Sequence, residues 1–461
     1  MISAAVVVST LALSTGTAEA ESLMEALIQA YQNNPTLEAQ RASLRATDEA
    51  VPQALAGYRP NVDIVGDGGY LVEHGDGVDG ADSGTQYSAT LRVTQNIYTG
   101  GGTVADVKRA ENTVKAERAR LADTEQVVLI TAVQAYMNAY RDDAVLKLNI
   151  NNERVLNRQL EATRDRFNVG EVTRTDVSQA EARVASANAD RIQAEGNVQI
   201  SRGIYEQIIG SEPSGLSKPA PVGGLPGTRK DAIAIARANN PTILSAAYDE
   251  RAARDNVDLV RSDLLPKVDI VGRGGRSSNQ GTTDASRDSA SIMAQLTVPL
   301  YQRGAVSSRV REAKQIAGRN RLRLIGAERS ATEDANNAWE SLVTARARIR
   351  SISAASRANR IALEGVRQEA LVGSRTVLDV LDAEQELLDS QVNLVVAERD
   401  EIVAQYQLMS ALGRLTAASL QLETQYYNPD DHYDDVRNKL WGLSSTSDEK
   451  YGPGPRPEDR K

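Results

Sequence analysis

Apolar residues in the C-terminal third of the chain recur in alternating steps of three and four. Leu378, Leu381, Leu388, Val392 and Val395, with Gln385 filling one place, are followed past Arg399 by Ile402, Tyr406 and Met409 in the same phase. That spacing predicts a helix packed along one seam against other helices. One position over runs a second row, Asp379, Asp382, Glu386, Asp389 and Asn393, which makes a narrow acidic stripe beside the seam. Gly373 breaks the pattern ahead of it. Thr376 and Asp379 have the S/T-x-x-D/E spacing of a capping box, so the helix is expected to begin there.

The same reasoning predicts other long helices. Thr103–Phe167 contains no proline and would reach roughly 95 Å at the rise of an α-helix, with Leu129, Val133, Tyr136 and Tyr140 on its apolar face. After a break at Gly170, Thr173 and Asp176 repeat the capping-box spacing, and an Ala-rich helix is expected over Asp176–Ile209. Ala180, Ala182, Ala185, Ala187 and Ala189 would let a neighbouring helix approach closely.

Elsewhere the period is two. In Asn61–Glu73, Val62, Ile64, Gly66, Gly68, Tyr70 and Val72 alternate with Asp63, Val65, Asp67, Gly69, Leu71 and Glu73. Gln86–Tyr98 and Ser289–Tyr301 likewise set an apolar row (Tyr87, Ala89, Leu91, Val93; Ala290, Ile292, Ala294, Leu296) against a polar one. Such strands exceed the roughly 9–11 residues that a tilted strand needs to span a bilayer. The pattern fits membrane-spanning strands and soluble hairpins packed on helices equally well. The polar, Gly-rich stretches Gly75–Gly84 and Ser277–Ser286 are the expected loops between strands.

The chain repeats itself. Asn34-Pro35 returns as Asn240-Pro241, Pro60 as Pro266, and Val62–Gly66 identically as Val268–Gly272, 206 residues on. Val169-Gly170…Thr173…Asp176 returns as Val372-Gly373…Thr376…Asp379, offset by 203. The expected organisation is a leader over 1–20, a first repeat over 21–210, a Pro/Gly-rich linker over 211–229, a second repeat over 230–415 and a tail over 416–461. Asp448–Lys461, with three prolines and little apolar content, is expected to be disordered.

Composition narrows the function. The leader is assigned from the apolar run Ala4–Leu13 followed by Ala18-Glu19-Ala20, an A-x-A cleavage site, although no Lys or Arg precedes the run. No later stretch is long and apolar enough for a transmembrane helix. The net charge of −9 argues against nucleic acid as a partner. Aromatics at 4% point to thin packing rich in Ala and Val rather than a large globular core. With no Cys, and only His74 and His432, neither beside a ligand cluster, a zinc site is not expected, a Ser-His-Asp arrangement would have to recruit one of these two histidines, and no cofactor motif is found. Gly100-Gly101-Gly102 lacks the Lys of a phosphate loop and reads as a turn into a helix.

The duplicated unit, the segment Leu296-Thr297-Val298-Pro299-Leu300-Tyr301 and the segment Val372-Gly373…Arg375-Thr376-Val377-Leu378-Asp379-Val380-Leu381-Asp382 closely resemble the TolC family of outer-membrane efflux and type I secretion channels. The resemblance runs over about Glu21–Leu415. The tail, Tyr427-Asn428-Pro429…Lys439-Leu440-Trp441-Gly442, is similar to alphaproteobacterial versions. It implies an α+β fold in which a long coiled helical barrel, the periplasmic tunnel, joins a transmembrane β-barrel shared between three chains, four strands from each. It implies a passive, non-enzymatic duct working as a homotrimer in outer-membrane lipid. Its partners would be a periplasmic adaptor (membrane fusion protein) and an inner-membrane transporter. Asp379 and Asp382, with Asp176 at the first repeat's tip, match the family's periplasmic constriction. Arg375 matches a residue whose contacts hold the closed state, with Asp165 as its expected ion-pair partner. Val169, Gly170, Val372 and Gly373 mark the expected adaptor-docking tips. One departure is Ala370, where the family often has Tyr. A periplasmic coiled-coil adaptor or structural protein with soluble hairpins is the alternative reading.

Overall fold

A computed structural model describes residues 21–73, 82–280 and 285–444. The leader, the segments 74–81 and 281–284 inside the two expected loops, His74 and the terminal Asp448–Lys461 lie outside the described residues. The order is α1 (Leu23–Asn33), α2 (Pro35–Asp48), α3 (Ala50–Leu55), β1 (Asn61–Glu73), β2 (Asp82–Tyr98), α4 (Gly102–Asn168) and α5 (Arg174–Ile209). It continues with α6 (Arg229–Asn239), α7 (Pro241–Ser262), β3 (Lys267–Gln280), β4 (Ala285–Thr297), α8 (Ala305–Leu371), α9 (Val377–Ala411) and α10 (Asp431–Arg437). Proline acts as punctuation. Asn34 and Asn240 each precede a proline that opens the next helix, and the Asn240 side chain accepts from the Thr242 and Ile243 N–H groups. No described helix is long and apolar enough to cross a membrane.

Two compact units emerge, and they cut across the sequence repeats. One gathers residues up to Glu38, Thr124–Ala238 and Thr332–Tyr426; the other gathers Ala39–Asp123, Asn239–Ala331 and residues from Tyr427 on. The first is helical. Its apolar clusters are small-residue seams: Ala232, Ala236, Ala335, Ala345 and Ala404 pack with Leu342, Leu408 and Leu412. Tyr136 and Tyr205 are buried against Glu21. The Tyr205 hydroxyl donates to Glu21 Oε1 at 2.6 Å, and burial beside that carboxylate pushes the phenol's pKa up.

The second unit carries a four-stranded antiparallel sheet, ordered β1-β2-β3-β4. Its register aligns the alternation of all four strands. Ile64 faces Leu91, Leu91 faces Gly274, and Gly272 faces Ile292, so one side is apolar from the strand bases up to the Arg276–Asp288 pair, which lies on the same side beside Ala89. On the other side Asp63 faces Arg92, which faces Arg273, which faces Ser291. The apolar side is bare in a single chain: Ile64 is 79% exposed and Ile292 83%. Gly275 is required where β2 and β3 meet, because a Cβ there would come within 2.7 Å of the Ala89 carbonyl oxygen.

Several expectations need correction. The strands begin or end away from their expected bounds: β2 starts at Asp82 and β4 ends at Thr297, so residues 82–84, 277–280 and 285–286, read as loop, are strand. On α9 the buried seam opens one position early, at Val377, Val380, Leu381 and Glu384, and leaves Leu378 exposed. Adjacent apolar residues make that phase ambiguous in sequence. Of the five alanines on α5 only Ala180 and Ala187 are buried; the seven-residue step keeps them on one seam. The described part of the tail, whose expected disorder concerned only Asp448–Lys461, is tied to the second unit. Val436 is buried, Arg118 pairs with Asp430, and Arg437 pairs with Glu111. Asp48, wholly buried, meets His432 Nδ1 at 3.1 Å; burial pushes the carboxyl's pKa up, against the lowering effect of that contact.

Candidate functional site: the paired helix tips

The two helical turns singled out by the sequence are closed in the same way. At the end of α4, Gly170 N–H donates to Phe167 O and Glu171 N–H to Arg166 O. At the end of α8, Gly373 N–H donates to Ala370 O and Ser374 N–H to Glu369 O. These are Schellman closures, which need a left-handed residue; Gly170 has φ +81° and Gly373 φ +78°. A capping box follows each turn. Thr173 and Thr376 accept from the N–H groups of Asp176 and Asp379, whose carboxylates accept in return from the threonine N–H and hydroxyl at 2.8 Å. Val169, Leu371 and Val372 stand exposed at the crowns.

Below the crowns, Leu156 and Leu160 of α4, Ala180 and Ala187 of α5, and Val377 and Leu381 of α9 form one apolar cluster. Leu381 is fully buried, so its neighbour Asp382 is turned outward and is exposed. There Arg183 of α5 donates to Asp382 Oδ1 at 2.5 Å. Glu386, Asp389 and Asn393 continue the stripe on the exposed side. Glu384, on the buried side, is paired with Arg367. Asp379 is half-exposed; the Thr376 backbone and side-chain hydrogen bonds, with Arg375 nearby, hold its pKa below the ordinary carboxylate value.

The expected Arg375–Asp165 ion pair is not formed within the chain. Arg375 Nε instead donates to Glu369 Oε2 at 2.9 Å, and its Nη1 lies 3.9 Å from Asp379. Glu369 is close because the turn folds the end of α8 back beside Arg375. Sequence reasoning missed both Glu369 and Arg183. The available signal for Arg183 was its repeat-equivalent position, which carries Glu386 in the second copy.

These tips close a chain with two long proline-free helices and a one-sidedly apolar sheet, and comparison with known proteins assigns that combination. The sequence model for outer membrane efflux proteins matches residues 26–211 and 232–414. The chain belongs to the outer membrane efflux protein family. It is 35% identical over 444 residues, 96% of each chain, to outer membrane efflux protein BepC of Brucella suis biovar 1. It is 28% identical to outer membrane protein TolC of Vibrio cholerae over 86% of this chain and 92% of that one. The fold matches the Campylobacter jejuni CmeC outer membrane channel with a TM-score of 0.78 at 16% identity, covering 90% and 89% of the two chains. As a member of the outer membrane efflux protein family, the protein is an outer-membrane channel with a periplasmic tunnel, not an enzyme. Such channels work with efflux or secretion machinery. Family membership also removes the alternative of a periplasmic adaptor with soluble hairpins.

Proposed function

We propose that this protein is the passive exit duct of a tripartite efflux pump or type I secretion system. Three chains assemble, each giving four strands to a shared twelve-stranded barrel and its helices to the tunnel. Two structural repeats, 21–210 and 230–415, supply each chain's share after removal of the leader 1–20, with 211–229 as linker. An inner-membrane transporter supplies the drive. A periplasmic adaptor engages the tips at Val169, Gly170, Val372 and Gly373. Asp379 and Asp382, with Asp176, line the narrowest point, and Arg375 holds the closed state through Glu369 and Asp379.

The observation that carries this reading is the sheet. Its strands are long enough to span a bilayer, its apolar side is bare, and among the described residues β1 and β4 are each paired along one edge only. Open edges are not tolerated in lipid, and four strands cannot close alone, so further copies of the chain must complete the ring. Efflux is favoured as the duty by full-length similarity to a protein named for it. The test is fractionation. The outer-membrane fraction should contain a heat-modifiable species of three chains. A tag inserted between Glu73 and Asp82, or between Gln280 and Ala285, should be labelled on intact cells. A monomer in the soluble periplasmic fraction, or labelling only after permeabilisation, would overturn the proposal.

A further inference from the structure

The C-terminal segment climbs toward the sheet. Asp430 pairs with Arg118, sixteen residues into α4, and Arg437 pairs with Glu111, nine residues in. At the helical rise these partners lie roughly 24 and 13 Å from the start of α4, just beyond the end of β2. Two residues further on, the Lys439 carbonyl accepts from Arg59 Nη1 at 3.0 Å, two residues before β1 begins at Asn61. Each step of the tail is therefore nearer to the strand bases than the last.

What the tail delivers there is apolar. Leu440 is 71% exposed, Trp441 87%, and Leu443 is fully exposed. The projection is built. Lys439 Nζ donates to the Ser444 carbonyl at 3.0 Å and closes a small loop, while Gly442 turns it at φ +119°. The ammonium group is held on Ser444 inside the loop, and the apolar side chains between stand exposed. The neighbouring strand bases are of the same kind: Tyr58, Tyr98, Leu300 and Tyr301 are all exposed.

We propose that Leu440, Trp441 and Leu443 insert into the periplasmic leaflet of the outer membrane and extend the barrel's interfacial girdle with a residue from outside the barrel. The reading rests on the sheet spanning that membrane. The apolar side of the sheet and the exposed residues at the strand bases are of one kind, and the Arg59–Lys439 bond ties the loop to the chain just before β1. An indole with an apolar body and one N–H donor suits the boundary between headgroups and acyl chains. Flanking leucines add apolar area without a charge that must be desolvated. A neighbouring copy of the chain covering the same loop is the competing occupant.

The test uses the full-length protein reconstituted into phosphatidylcholine vesicles, with bromine either near the headgroup end of the acyl chains, near their middle, or absent. The emission of Trp441 is wild type minus Trp441→Phe, which leaves Trp339 as background. A control, Ile292→Trp in the Trp441→Phe chain, reports whether the sheet is in the bilayer. Shallow bromine is expected to halve the Trp441 emission or more, with a smaller loss for deep bromine, while the control responds to deep bromine. Unquenched Trp441 with a quenched control overturns the anchor and leaves the barrel standing; if that emission is also blue-shifted, a neighbouring chain covers the indole. Neither signal quenched overturns the barrel, and the anchor with it.

Discussion

The turn at Gly170 and the turn at Gly373 share the two closing backbone hydrogen bonds and the capping box, and differ in charge. Along the second tip run Asp379, Asp382, Glu386 and Asp389. At the equivalent places the first tip has Asp176, Gln179, Arg183 and Ser186. Only the capping aspartate is common to both, because only that position is fixed by the geometry of the turn. The rest of the row is free to diverge. The second copy carries acids along the row, while the first carries Arg183, which donates to Asp382 of the second copy. The scaffold and the charge pattern are therefore separable, and experiments can pull them apart.

The largest effect is expected from the acidic tip. In planar bilayers the channel should be cation-selective and blocked by multivalent cations, since three chains would bring six carboxylates together. Asp379→Ala with Asp382→Ala should weaken that block by an order of magnitude or more. The matching pair at the other tip, Asp176→Ala with Gln179→Ala, removes one carboxylate per chain instead of two and should weaken the block less. Equal losses from both pairs would make the difference between the tips irrelevant to conduction. Next in size, Arg183→Ala removes the counter-charge of Asp382 and should tighten cation block. The pair is exposed, so the gain should not exceed about five-fold.

The shared scaffold predicts symmetry instead. Thr173→Val and Thr376→Val each delete one capping box, and each should cost about 1 kcal/mol in denaturant unfolding. A marked inequality would show that one turn is held by something other than its cap. Smallest is the pH effect. Because the Asp379 pKa is lowered in the folded chain, its contribution is present above the ordinary carboxylate pKa and is lost as pH falls through the lowered value. The gap in thermal stability between wild type and Asp379→Asn should therefore stay constant from neutral pH to about 5 and close only in stronger acid.

How much of this could be read in advance depends on how local the cause is. The bounds of β1 follow from Pro60 and the alternation behind it, and both capping boxes follow from four-residue spacings. The long helices follow from the absence of proline across each span. The site was legible as a stripe, since Asp382 lies beside a seam residue and must turn outward. Its partner was not, because Arg183 comes from another helix 199 residues away. The partner of Arg375 within the chain was hidden for a related reason. The turn brings Glu369 back beside it, and no periodicity encodes that return. The docking of the tail was hidden most completely. It is held by Asp48–His432, Arg118–Asp430 and Arg437–Glu111, isolated polar contacts that leave no repeating signal.

The pairing of β2 with β3 carries a consequence for biogenesis. β1–β2 and β3–β4 are local hairpins, but the central ladder joins residues roughly 170 to 195 apart, Tyr98 with Val268 and Thr85 with Gln280. Loop closure on that scale lags behind helix formation and hairpin zipping. Newly exported chains should therefore pass through a stage in which the helices are formed while two separate hairpins still present unpaired edges to the periplasm. Such edges invite association with any chain that offers a partner strand. The slow step is expected to be the joining of the two hairpins across Gly275, where a single added methyl group would collide with the opposite strand.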